Sequence, residues 1–514
     1  MAVPSLSNVP VTIDDAESTA NWSSATLDSD IKRQGNNSVS DGLRADGSTF
    51  AFTYGFAAGL GNQVIRLWCT NNLTPYMESY ANEGLSFYTI DSIGNTRYYT
   101  IAGFDTYNGG WLNLAISYTS GVFATSGTST TTSQPVSEIG IRFTRTSQPR
   151  VGENIWLDYL RRGAGYTATG GTSSDPITPD TIATVDNSNG YGILLKEDGV
   201  LFCSGVVTIG SGATATDFDS IGDLIVYPDN PYMRSPNYGI VAAGSGCNVL
   251  FDGTVIKTAG DNAFNRYNFD LSDSNVTATV TGCLLDKGNL FTFSSGQSVT
   301  KNTFNVCNQI ATNGATFTDN VVKNSSSLSS LVVPIANATA LSGNSFTSDG
   351  SNHAVEFTGT AQNFTWDNLL DNYDPGTTGS DVAVTTPTFN EAIYVNITTG
   401  TVNITVASTA TIPSVRSAGA TVNVTANQVT LTLTGLVANS EVRIYSAGTT
   451  TELAGIENSG TTFQYSYTYA ASTFVDIVIH NVGYIYQRLA NFELGSSNAS
   501  IPITQIFDRN YSNP

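Results

Sequence analysis

Val280-Thr-Gly-Cys-Leu-Leu285, Val299-Thr-Lys-Asn-Thr-Phe304, Phe317-Thr-Asp-Asn-Val-Val322, Leu341-Ser-Gly-Asn-Ser-Phe346 and Phe364-Thr-Trp-Asp-Asn-Leu369 repeat one short pattern. Each has an apolar residue, two small or polar ones, usually an Asn, and then further apolar residues. Their starts fall 19, 18, 24 and 23 residues apart. Spacings near twenty match one coil of a β-solenoid, whose apolar face is buried only by stacking on the next coil. Alternation lets Val299, Phe304 and Ile310 point inward while Thr and Lys side chains face out. Asn302, Asn320 and Asn344 share one offset, where turn residues stacked coil on coil can satisfy buried polar groups. Cys283 takes that place in the first repeat and Asp367 in the last, so the expected ladder is imperfect.

Working outward, residues 10–165 carry short alternating segments at 49–54, 63–68, 84–90, 96–101, 112–118, 137–144 and 154–159. Turn residues such as Gly94-Asn95 and Asn108-Gly-Gly110 separate them. Seven short strands at this spacing predict a sandwich or jelly roll. A Gly/Thr/Pro-rich linker follows, and the solenoid begins after it. The stretch 228–237, rich in Pro and Asn, reads as a lateral excursion from the coils. Strand-like segments at 429–433, 441–445, 462–467, 473–480 and 484–489 predict a second, smaller sandwich. The expected division is a jelly-roll sandwich over 1–165, a linker over 166–184 and a parallel β-helix over 185–385. A β-rich connector then covers 386–427, and a small sandwich with a C-terminal tail covers 428–514. The fold class is all-β.

Composition agrees. Charged residues make up 12% and hydrophobic residues 40%, which excludes a disordered chain. Lys and Arg number 21 against 42 Asp and Glu, giving a net charge of −21. Such a surface repels nucleic acid, and no basic cluster offsets it. No apolar run is long enough to span a membrane as a helix, so membrane insertion is not expected. No signal peptide is visible at the N-terminus. The five cysteines form no close-spaced pairs, which argues against a disulfide framework and for buried thiols made in a reducing cytoplasm.

The repeats resemble the right-handed parallel β-helix of phage tailspikes, pectate lyases and related proteins. The opening Ile13-Asp-Asp-Ala-Glu-Ser-Thr-Ala-Asn-Trp22 and closing Asn154-Ile-Trp-Leu-Asp-Tyr-Leu160 resemble the end strands of carbohydrate-binding-module jelly rolls. That resemblance implies a structural calcium ion, with Asp15, Glu17 and Asp158 at its acidic positions. The last sandwich resembles immunoglobulin-like or carboxypeptidase-regulatory-like units, and the final fifteen residues resemble the tails of phage virion proteins. Together these imply a tailed-phage virion structural protein: a spike, fibre or capsid-decoration subunit on the virion surface. The expected partners are two further copies in a homotrimer, other virion proteins and host surface glycans.

The aromatic residues are the lead for ligand binding. Trp68, Tyr76, Tyr80, Tyr107 and Trp111 gather in or beside jelly-roll loops, and sugar rings stack on such faces. Trp68, Tyr107 and Trp111 are the candidate glycan-binding residues, with packing as the competing account; Trp156 is expected in the core. For catalysis the residues offer less. His480 ends an apolar strand and His353 is expected in a solenoid loop, and neither lies beside a nucleophile motif. The alternative is a depolymerising tailspike, a glycosidase or a lyase: Arg234, Lys257 and Arg266 could serve a lyase as base or carboxylate clamps, and a glycosidase needs two carboxylates about 5–10 Å apart. Asp252, Asp270, Asp273, Asp286 and Asp319 are available, but no spacing selects a pair. A cell-surface adhesin is the third class of function.

Overall fold

The structure is a computed structural model. It describes residues 2–23, 25–41, 50–60, 64–71, 84–94, 96–100, 111–117, 124–126, 136–144, 154–229, 238–261, 265–323, 325–426, 428–469, 472–509 and 511. Strands dominate it throughout, and the chain divides into Met1–Ser298 and Val299–Pro514.

The first unit opens with two antiparallel sheets. One places Ile155–Arg162 between Val64–Asn71 and Ser38–Asp41, with Leu112–Ser117 beyond the former and Thr26–Asp28 beyond the latter. Val11–Asp14 also pairs with Ile155–Arg162, so the first and last strands of the sandwich meet. The other sheet orders Ala124–Ser126, Thr96–Thr100, Gly84–Asp91, Val136–Thr144, Phe50–Leu60 and Trp22–Ser23. Ile65, Leu67, Leu114 and Leu157 are buried, as is Trp156, whose indole donates to Asp28 Oδ2 at 2.8 Å.

The stretch expected as a linker is structured. Gly165–Thr169 pairs in parallel with Val206–Ile209, so it already belongs to the first coil. Pro179–Asn189 is a helix, capped by a reciprocal Thr178–Thr181 box and closed by Gly190. Its buried face, Pro179, Ile182, Ala183 and Asp186, lies against the first coil, whose apolar interior includes Leu194, Cys203 and Val207. The helix covers an edge that would otherwise expose unpaired strand and core. The parallel coils follow, each with three strands. Gly239–Ala242, Cys247–Asp252 and Val255–Thr258 stack in register on Asn268–Asp270, Val276–Thr281 and Leu284–Asp286. Inside run aromatic stacks: Phe218–Phe251 at 5.4 Å, Phe251–Phe269 at 5.0 Å and Tyr227–Tyr267 at 4.8 Å between centroids. Cys203, Cys247 and Cys283 are buried thiols of these coils, outside any disulfide, and Cys69 is a buried thiol of the sandwich.

In the second unit the coils continue through the stretch expected as a connector. Ile393–Val395 pairs with Val355–Phe357 and with Val415–Ser417, and Thr401–Val406 pairs with Thr421–Ala426, all in parallel. The Asn ladder is present here. Asn302 Nδ2 donates to Asn320 Oδ1 at 3.0 Å, Asn320 Nδ2 to Asn344 Oδ1 at 3.1 Å, and Asn344 Nδ2 to Asn368 Oδ1 at 2.8 Å. The last rung is Asn368, one residue beyond the expected Asp367. Asp367 pairs instead with Ser342, and a register shift before the pairing of Ser345 with Leu369 brings Asn344 beside Asn368. His353, expected in a loop, instead opens the strand His353–Thr358 and is fully buried.

The last sandwich pairs Thr462–Thr468, Gln428–Thr434 and Ala499–Pro502 in one sheet. Glu452–Ile456, Glu441–Ser446, Phe474–His480 and Gln487–Glu493 form the other. Its core holds Val429, Leu431, Val442, Ile444, Ile477 and Ile479. The C-terminal stretch is therefore part of this sandwich, since Ala499–Pro502 adds in parallel to Gln428–Thr434.

Candidate functional site

In the first unit a cleft of about 380 Å³ opens beside Trp68 and Trp111. Trp68 lies in one strand and Trp111 immediately precedes its neighbour, since Asn113 pairs with Trp68 and Leu112 with Cys69. The remaining wall comes from the loop at 31–37, the helix and the hairpin that follows it. Lys32 and Arg33 come from the loop, Asn187 from the helix, and Leu195, Lys196 and Glu197 from the hairpin. The hairpin joins Leu194–Glu197 to Val200–Cys203 through Asp198-Gly199, both with positive φ (48° and 81°). Such a turn matches the twist of paired strands and fixes where Lys196 and Glu197 emerge.

The two indoles differ. Trp68 is 3% exposed, its Nε1–H donates to Gly190 O at 2.8 Å, and the Arg33 guanidinium lies 4.6 Å from its ring centroid. It is a packed ring capped by a cation. Trp111 is only half-buried. Among the described aromatics of the cleft it is the one that offers ring surface to a ligand. Tyr107, Tyr76 and Tyr80 lie outside the described residues.

Arg33 donates to Asn187 Oδ1, and burial holds its guanidinium pKa below the usual value despite nearby Asp186, Asp158 and Glu197. Lys196 pairs with Asp180, and Lys32 donates to Asn36 O at 3.1 Å. The wall therefore mixes donors and acceptors around one ring, as hydroxyl-rich ligands require.

The carboxylates expected at a metal site hold the loop that presents Lys32 and Arg33. Asp158 Oδ2 accepts the N–H groups of Arg33 at 2.8 Å and Gln34 at 3.0 Å. Glu17 accepts the N–H groups of Asn36 and Asn37, and the Asn37 amide at 2.9 Å. Gly35 has φ +69°, and a Cβ there would overlap Glu17 Oε1. Burial pushes Glu17 up, but these N–H bonds and Lys32 outweigh it and hold its carboxyl below the usual range. For Asp158 burial wins: despite the N–H bonds of Gln34, Arg33 and Tyr159, and with Glu17 nearby, its pKa rises to about 6. Its second oxygen, Oδ1, is buried with no hydrogen-bond partner.

A hard cation fits part of this arrangement. Oδ1 of Asp158 has free lone pairs, and Glu17 adds a second carboxylate whose charge Asp158 senses. Asp15 does not complete a trio. It is exposed and accepts the Glu17 N–H at 3.2 Å, and among the described residues no three His, Cys, Asp or Glu gather as metal ligands.

Nor does the register of the coils stack the carboxylates weighed for catalysis. Asp270 has Val241 and Thr292 as neighbours on adjacent coils, and Asp286 has Lys257. Asp273 Oδ2 is occupied by the Gly244 N–H at 2.7 Å.

Lys32, Arg33, Asn187, Lys196 and Glu197 were not among the candidates read from sequence. The adjacent Lys32-Arg33 pair in a chain this acidic, two residues before Gly35, was the signal available.

No protein-family model matches the chain, and neither does the sequence of any curated protein. Three solved structures show partial likeness. The CBM22-1 xylan-binding domain of Xyn10C from Paenibacillus barcinonensis is 12% identical, covering 32% of this chain and 96% of its own, with a TM-score of 0.20. The CBM22-1–GH10 modules of Clostridium thermocellum Xyn10B, complexed with xylohexaose, are 14% identical over 41% of this chain and 38% of theirs, with a TM-score of 0.19. The catalytic domain of a GH87 α-1,3-glucanase, a D1045A variant with nigerose, is 12% identical over 78% of this chain and 81% of its own, with a TM-score of 0.19.

Proposed function

We propose that this chain is a surface-exposed structural subunit of a tailed-phage virion, a spike, fibre or decoration protein that engages glycans at the Trp111 cleft. The observation that carries the reading is the cleft itself. A half-buried indole stands among Lys32, Arg33, Asn187, Lys196 and Glu197, so a pyranose can stack on the ring while its hydroxyls meet fixed donors and acceptors. Parallel coils whose inward Asn residues pair with one another support the shaft role, because such coils tolerate repetition without leaving buried polar groups open. The expected assembly is a homotrimer on the virion surface, made in the host cytoplasm and bound to other virion proteins.

Calcium is part of the proposal. Glu17 and Asp158 with carbonyls of the 31–37 loop would hold the ion, and its charge would satisfy Asp158 Oδ1 and fix the loop. Asp15 would not touch the ion on this reading and would keep its bond from the Glu17 N–H. A chelator should then lower the unfolding temperature of the full chain, and added Ca²⁺ should restore it.

The functional test is a glycan array probed with the full-length chain, followed by an assay for released oligosaccharide. Binding without release supports the reading; release would make the protein a depolymerase, and no binding to any host-surface glycan would remove the proposal. Light scattering tests the assembly: a mass near the 54.3 kDa of one chain at all concentrations would exclude the trimer.

A further inference from the structure

In the unit Val299–Pro514, Phe389 has φ +68° and is 45% exposed. A bulky residue in this region of backbone space is strained and persists only where its surroundings hold it. Glu391 is what holds it. Its carboxylate is fully buried and accepts the N–H groups of Thr388 at 2.6 Å and Phe389 at 3.1 Å. A buried, hydrogen-bonded side chain therefore keeps an apolar ring turned out to water.

Beside the ring, the coil register places Glu356, Tyr394 and Arg416 next to one another on adjacent strands. The Arg416 guanidinium lies 4.6 Å from the Phe389 ring centroid and 4.5 Å from that of Tyr394, packed against both rings. His353 completes the mounting. Its Nδ1–H donates to Glu391 O at 2.6 Å, so Nε2 is left to accept from Arg416 Nη1 at 3.4 Å. Burial holds the imidazole pKa below its usual value, which keeps it a neutral acceptor. Among the described residues no carboxylate pairs with Arg416, although the chain has 42 acidic residues to 21 basic ones. A planar guanidinium held by two rings, with donors left over, is organised in advance for a carboxylate, which its fork can bind through two parallel bonds.

We propose that Phe389, Tyr394 and Arg416 form a binding site for a uronate, a sugar carrying a ring carboxylate. Arg416 pairs with the carboxylate while the exposed surface of Phe389 stacks on the pyranose ring. Asn396 donates to Glu356 Oε1 at 2.8 Å and accepts from the Tyr394 hydroxyl at 3.3 Å, giving sugar hydroxyls a polar border. This site does not depend on the reading of Trp111.

The test is calorimetric titration of the full-length chain with trimers of galacturonate, glucuronate and mannuronate, each beside its carboxyl-reduced, neutral counterpart. At least one uronate trimer should bind, with its neutral counterpart about tenfold or more weaker. Arg416→Gln and Phe389→Ala should each weaken uronate binding about tenfold, and Arg416→Lys should keep part of it. Phe389→Gly separates binding from folding: it should abolish stacking while leaving the unfolding midpoint unchanged or raised, because the strained φ is relieved. Absence of saturable binding to all three uronates, or equal binding by Arg416→Gln, would overturn the proposal. So would equal affinity for acidic and neutral trimers.

Discussion

The Asn ladder of the later coils and the loop cradle of the jelly roll meet the same problem in opposite ways. In the ladder, Asn320 donates to Val299 O at 2.9 Å and to Asn344 Oδ1, while its own Oδ1 accepts the side chain and N–H of Asn302. Its buried polar atoms are satisfied within the chain. In the cradle, Asp158 satisfies two loop N–H groups through Oδ2 and leaves Oδ1 buried and empty-handed, with its pKa raised to about 6. A closed network is a device for stability. An open one asks for a proton or a cation, and it lies under the loop that carries Lys32 and Arg33 to the cleft.

The largest expected effect tests which side of that divide Trp68 belongs to. Trp68→Ala removes a buried indole and its bond to Gly190 O and should cost about 3–5 kcal/mol of stability. A loss well below 1 kcal/mol, measured by denaturant unfolding, would return Trp68 to the ligand surface.

Asn320→Leu comes next. It takes the Asn320 amide from Val299 O, the Asn320 Oδ1 from the N–H and amide of Asn302, and one of two donors from Asn344 Oδ1, in a buried setting where an unmet polar group costs about 1–3 kcal/mol. A total loss of about 3 kcal/mol is expected. Asn368→Leu should cost less, because that terminal rung already has an unpartnered Nδ2. Equal losses at the two positions would show that the ladder does not act as a chain.

Asp158→Asn has the opposite sign. The folded-state pKa of about 6 lies above the unfolded value near 4, so the native state holds the extra proton between them. Stability therefore falls as pH rises from about 4 to 6 and is level above. In chelator, Asp158→Asn should be more stable than the parent at pH 7, by on the order of 3 kcal/mol at most, with the advantage gone by about pH 4. In Ca²⁺ the parent should regain the difference while the variant does not respond. A parent indifferent to Ca²⁺ would leave Asp158 as a loop anchor alone.

Much of the architecture was legible because it rests on periodicity. Val299, Phe304 and Ile310 are inward at the positions alternation implied, and Asn302, Asn320 and Asn344 ladder as their common offset suggested. The slip from Asp367 to Asn368 is a matter of register, since Asp367 pairs with Ser342 and a bulge precedes the pairing of Ser345 with Leu369, and composition records neither. The helix Pro179–Asn189 was missed because its buried positions include Pro179 and Asp186, so no apolar stripe marks it. Thr178-Pro179 and Gly190 were its readable ends. The cleft was half legible. Aromatic residues in loops signalled Trp111, but Lys196 and Glu197 come from a hairpin more than eighty residues away, and only the packed structure brings them together. The pairing of Phe389 with Arg416 was hidden for the same reason, since neither residue type is unusual in its own segment.

The central claim is that Trp111 is a ligand-facing ring on an otherwise packed wall. The direct measurement is titration of the full-length chain and Trp111→Ala with a neutral glycan that the chain binds, alongside the unfolding midpoint of each. The account expects binding to weaken about tenfold or more, with the midpoint moved by less than about 1 kcal/mol in stability. Unchanged affinity, or a collapse of the fold comparable to that of Trp68→Ala, would contradict it.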